Sequence, residues 1–126
     1  MKTKTYFSEF RSDIAVAILG KDDYRYDVLK PIFDECGFGF TETASACVFI
    51  DGEVKLTKDE LKWVEAHEVA HIMLKHKKDR NDDDEIAADM FAIILLKDKG
   101  YDKAAQLVED KFEERHKRKY YDTNNK

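Results

Sequence analysis

Tyr6, Phe7, Phe10, Ile14, Ala17 and Ile18 recur at helical spacing, and Gly20 follows where a helix would end. The pattern predicts a first helix over residues 5–19, although Ile14–Leu19 taken alone has the character of a strand. A polar linker, Lys21–Tyr26, leads to a short second helix capped by Asp27. Its apolar positions are Val28, Leu29, Ile32, Phe33 and Cys36, with Pro31 in the first turn and Gly37 at the end. The period then changes. Cys47–Ile50 and Glu53–Leu56 flank Asp51-Gly52, a pair suited to a type I′ turn, and predict a β-hairpin; Phe38–Thr41 offers a third strand. Thr57-Lys58-Asp59-Glu60 has the form of a capping box and opens a long helix to about Lys77. After the polar loop Lys77–Asp84, a fourth helix runs from Asp83 or Asp84 to Asp98 and stops at Gly100. A fifth starts at Asp102, carries Ala104, Leu107, Val108 and Phe112 on one face, and dissolves over Glu113–Lys119, with Asp122–Lys126 as a frayed end. The fold class expected is α+β.

Composition narrows the setting. The 126 residues suit one domain spanning 1–126, and 43% hydrophobic residues with one proline and five glycines exclude a low-complexity or disordered chain. No apolar stretch approaches the roughly 18 residues of a membrane helix. Glu9, Arg11 and Asp13 interrupt the N-terminal segment, against a secretory signal. A net charge of −5 and a pI near 5.4 argue against a dedicated nucleic-acid binder. Cys36 and Cys47 form no CxxC pair and read as reduced thiols of a cytoplasmic protein.

The chemistry concentrates in His67-Glu68-Val69-Ala70-His71, an HExxH pattern inside the long helix. Positions four apart lie on nearly the same side of a helix, so both imidazoles can reach one metal ion. Glu68 projects about 100° from His67, where a base acting on a metal-activated water should stand. The apolar residues Val69, Ala70, Ile72, Met73 and Leu74 surround His71, and a buried imidazole needs hydrogen-bond or metal partners. A catalytic zinc ion takes a third protein ligand and leaves its fourth position open. In the acidic run Asp82–Glu85, Glu85 alone has an acid, Asp89, at the fourth position beyond it. Asp89 then falls within the apolar run Ile86–Leu96, where a carboxylate without a partner is costly. Glu85 therefore reads as the third ligand to Zn2+, and Asp89 as the carboxylate that orients a ligating histidine, His67.

His67–His71 followed by Glu85-xx-Ala88-Asp89-x-Phe91-Ala92-xx-Leu95-Leu96 resembles the gluzincin metallopeptidases, in particular the ImmA/IrrE type, over about residues 45–97. His76, five residues after His71, also recurs in such sequences, whereas Lys97-Asp98 replaces the family's Met-Pro. The resemblance implies a small hairpin or sheet packed on a zincin-like helical core. It also implies zinc bound by His67, His71 and Glu85, with Glu68 as catalytic base, and hydrolysis of a protein or peptide substrate. Small members are carried by phages and mobile elements, and some act on repressor proteins. The alternative is a non-catalytic, zinc-stabilised interaction or regulatory module.

Several residues stay open at this stage. His76, Tyr101, Tyr120 and Tyr121 are candidate donors to the oxyanion; His76 is rotated about 140° from His71 on an ideal helix, a poor angle for a ligand, and reads as either a residue supporting the ligands from behind or an exposed one. Trp63, one turn before His67, either supports the metal helix or lines the cleft. His116 falls in the basic run Arg115–Lys119, read as a solvated face with a weak contact to an acidic partner as the alternative. Phe7, Phe10, Phe33 and Phe91 read as core.

Overall fold

A computed structural model describes residues 2–77 and 81–124, the last eight of them by backbone alone. The described residues form four strands and four helices in the order β1 (Lys4–Phe7), β2 (Ala15–Leu19), α1 (Tyr24–Cys36), β3 (Gly39–Glu42), β4 (Cys47–Asp51), α2 (Lys58–Met73), α3 (Asp82–Asp98) and α4 (Asp102–Asn124). The architecture is α+β. The mixed sheet has the order β1-β2-β4-β3, with β2 and β4 parallel and both outer pairs antiparallel.

Alternation along the two central strands sorts the molecule into layers. Val16, Ile18, Val48 and Ile50 point into a core shared with Ala66 and Val69 of α2, Ala92 and Leu96 of α3, and Ala105 and Val108 of α4. Ala17, Leu19 and Phe49 face the other way, towards Tyr26, Leu29 and Phe33 of α1. β2 is thus covered on both faces, which explains why its apolar run is unbroken and why the expected helix over 5–19 is instead two strands. Phe10 and Ile14 reach the core from the loop between them, closed by Ser8 N donating to Ile14 O at 2.8 Å. Phe7, expected in the core, is 70% exposed on the edge strand.

The hairpin also differs from the expected one. β4 pairs with β3, Phe40 opposite Phe49, and turns through residues 43–46. Asp51-Gly52 makes no hairpin turn, because Gly52 N continues the β2 ladder by donating to Leu19 O at 2.8 Å, and Glu53–Leu56 is not a strand. α1 begins four residues before its expected start, capped by Asp23, whose carboxylate accepts from Arg25 N at 2.9 Å. Pro31 therefore lies in the helix interior, where its missing N–H leaves a carbonyl of the preceding turn without its helical donor. α4 keeps its helical backbone to Asn124, through the stretch expected to dissolve; of the expected frayed end, residues 125–126 lie outside the described residues. No helix among the described residues is long and apolar enough to cross a membrane.

Candidate metal centre

α2 carries the centre, and the sequence secures both its ends. The capping box is formed: Thr57 Oγ1 accepts from Glu60 N at 3.1 Å, and Thr57 N donates to Glu60 Oε1 at 2.9 Å. Along its length Glu65 is buried and accepts from Tyr6 Oη at 2.5 Å and Ser8 Oγ at 2.8 Å, tying the helix to β1 and the loop after it. Every residue from Glu65 to His71 is buried. The helix ends at Met73, short of the expected Lys77. His76 N donates to His71 O at 3.0 Å and Lys75 N to Ile72 O at 3.1 Å, a Schellman turn with Lys75 in the left-handed region at φ 58°. The same pair of bonds closes α3, where Gly100 takes the left-handed position at φ 80°.

α3 supplies the acids. Asn81 caps it by accepting from Asp84 N at 2.9 Å, so the helix starts at Asp82. That start brings Glu85 against the two histidines of α2. His67 Nε2 lies 2.9 Å from Glu85 Oε2 and 3.0 Å from His71 Nε2, and His71 Nε2 lies 3.3 Å from Glu85 Oε1. Bonds of about 2.0–2.1 Å to a tetrahedral zinc ion set neighbouring donor atoms roughly 3.3 Å apart. The three side chains could therefore hold one ion with little movement, and they form the group whose ligand atoms all lie within 4.8 Å of one another. The donor chemistry agrees, since two imidazole nitrogens and a carboxylate converge lone pairs on one point. A proton satisfies that arrangement in part, and a cation satisfies it more fully.

Behind these three side chains lies Asp89, fully buried. Its Oδ1 accepts from His67 Nδ1 at 2.8 Å and Trp63 Nε1 at 3.1 Å; its Oδ2 accepts from Arg115 Nε at 2.9 Å and His116 Nε2 at 2.7 Å. The bond to Nδ1 fixes the ring so that Nε2 faces Glu85 and His71. Burial pulls the His67 pKa down, but the bonds to Asp89 and Glu85 and the charge of Glu68 outweigh it and push it up to about 9. Burial opposes ionisation of Glu85 and Asp89 as well. The histidines beside Glu85 nevertheless hold its carboxyl well below the usual range, and His67, Arg115 and Trp63 do the same for Asp89.

The structure corrects the solvated reading for His116, which is buried on Phe112; Arg115 stays exposed, with its guanidinium 5.0 Å from the centre of the Trp63 ring. The signal was present, because Val108, Phe112 and His116 continue the apolar face of α4 at steps of four. Trp63 both braces Asp89 and lines the cleft. Among the oxyanion candidates, Tyr101 Oη donates to Glu9 at 2.6 Å and does not line the cleft, while the side chains of Tyr120 and Tyr121 lie outside the described residues. His76 is bonded to His71.

The centre opens into a cleft of about 900 Å³ whose walls include Gly39 and Phe40 of β3, Trp63 of α2 and Lys111 of α4, with His67, Glu68 and Glu85 also lining it. Compared with protein-family models, curated sequences and solved structures, the chain gives no significant match. The functional reading therefore rests on the residues and their geometry.

Proposed function

We propose that the protein is a zinc-dependent metallopeptidase with a zincin-like core, hydrolysing peptide bonds of a protein substrate. The observation that carries the reading is the convergence of His67 Nε2, His71 Nε2 and the Glu85 carboxylate at 2.9–3.3 Å at a cleft that Glu68 also lines. These three side chains would hold the ion. When bound, zinc supplies Lewis acidity, acidifying water and polarising a carbonyl. Glu68 takes the proton of the attacking water on its carboxylate and hands it to the leaving amine. Asp89 keeps the His67 ring turned towards the ion, with three further donors holding Asp89 in place. β3 is one of the two outer strands of the sheet and contributes a wall of the cleft, so an extended segment can add to its edge within reach of the centre.

One observation favours the alternative of a non-catalytic zinc-stabilised module. Asp89 ties α2, α3 and α4 together behind the ligands, so an ion held in front of it also braces the helices. Glu68 separates the readings, because an ion that only braces the fold has no need of a base. The test measures zinc by elemental analysis and cleavage of labelled casein by the zinc-loaded protein. Glu85→Ala is expected to lose zinc. Glu68→Gln is expected to keep zinc and lose cleavage by about 100-fold or more. Cleavage by Glu68→Gln at the wild-type rate would remove Glu68 from the mechanism, and absence of zinc from reconstituted wild type would remove the metal centre.

A further inference from the structure

The two histidines of the centre are not held alike. His67 Nδ1 meets a carboxylate, whereas His71 Nδ1 meets another imidazole, His76 Nδ1, at 2.9 Å. His76 is brought there by the turn that ends α2. On an extended helix it would be rotated about 140° away from His71. The left-handed conformation of Lys75 and the bond from His76 N to His71 O instead fold the chain back and set the two rings 5.1 Å apart. Placing a lysine rather than a glycine at φ 58° is unfavourable by about 1 kcal/mol, so this backbone path runs against local preference.

Proton placement around the two rings follows from their neighbours. Two Nδ1 atoms at hydrogen-bond distance need one proton between them. His71 must keep the Nε2 lone pair to serve as a ligand, so its own proton sits on Nδ1 and His76 Nδ1 accepts it. The His76 proton is then on Nε2, on the side of Asp84, whose Oδ1 lies 3.6 Å away, beyond hydrogen-bond distance. With His76 Nδ1 accepting from His71 Nδ1, the pair holds the one tautomer of His71 that leaves Nε2 free for an ion.

We infer that His76 is a positioning residue for the metal centre, orienting His71 and selecting its ligating tautomer as Asp89 does for His67. The inference rests on the metal reading above and assigns His76 no role as an oxyanion donor. The test is zinc affinity, measured by competition with a chelating dye, for wild type, His76→Ala and His76→Asn. Loss of a group that orients a ligand weakens metal binding by about 10–100-fold, the effect expected of His76→Ala. Asparagine places an amide oxygen close to where Nδ1 stood and can accept the same proton, so His76→Asn is expected to recover most of the loss. A merely space-filling or fold-supporting role would not distinguish the two variants in this way. Wild-type affinity in His76→Ala, or equal weakness in both variants, overturns the inference while leaving the centre intact. A wild type that takes no zinc overturns the centre itself, and this role with it.

Discussion

At the residue scale, His67 carries a conflict that the proposed metal ion would resolve. Buried beside Glu85, Asp89 and Glu68, its imidazole has its pKa pushed up to about 9, and an ion bound as proposed would have to displace the proton. The raised pKa has a definite consequence for stability. Unfolded histidine titrates near 6.5, so the stabilisation by the charged ring is fully present below about pH 6.5 and is lost as pH rises to about 9. The shift corresponds to a contribution of about 3 kcal/mol. Metal-free protein is expected to unfold at lower urea at pH 9.5 than at pH 6.5, and His67→Gln should flatten that difference. A flat profile in the wild type would mean that the ring is neutral. Glu85 and Asp89 act in the opposite sense, their stabilisation being present above about pH 4.5 and lost on further acidification. The pair His67 and Asp89 was legible from spacing alone, because a lone acid in an apolar run needs a partner. The His76 contact was not, because it depends on a non-glycine residue adopting a left-handed turn.

At the scale of elements, the placement of α2 on the sheet sets the cleft. A Cβ at Gly39 would meet Phe49 O at 3.0 Å and Val64 Cγ1 at 3.1 Å, so the absence of a side chain lets the helix approach β3. Gly39→Ala pushes against backbone on one side and a packed valine on the other. The expected cost is about 1–3 kcal/mol, read as a lower urea midpoint with an unchanged slope; an unchanged midpoint would mean that α2 can shift freely. Local codes made some elements readable. The Thr57–Glu60 box and the Asp102 start depend on neighbours a few residues apart. The strands depend on partners far along the chain. Tyr6, Phe10 and Ile14 fall four apart by coincidence of a strand and a loop, and β2, buried on both faces, shows no alternation to betray it. Asp51-Gly52 carries a turn signal, but pairing with β2 prevails over it.

At the scale of the whole molecule, the C-terminal helix belongs to the centre. Arg115 and His116 donate two of the four hydrogen bonds to Asp89, and both come from a stretch that reads in isolation as a solvated basic run. Position 116 is 27 residues from Asp89 along the chain, so no local pattern links them. Their removal leaves a fully buried carboxylate with half its donors, and hydrogen bonds to a charged group are worth about 1.5–3 kcal/mol each. The effect would pass to His67 through the shared acid, and from there to an ion bound as proposed. A chain ending at Glu114 is thus expected to bind zinc about 10–100-fold more weakly than the full chain, and to unfold at lower denaturant. A chain ending at Lys119, which keeps both donors, should match the full chain in zinc titration. Equal affinity in the two truncated forms would separate α4 from the centre and return its basic end to the role of a surface for a partner. The expected inequality makes α4 a brace whose docking governs the centre, so a partner that drew the helix away would weaken the hold on the ion without touching a ligand.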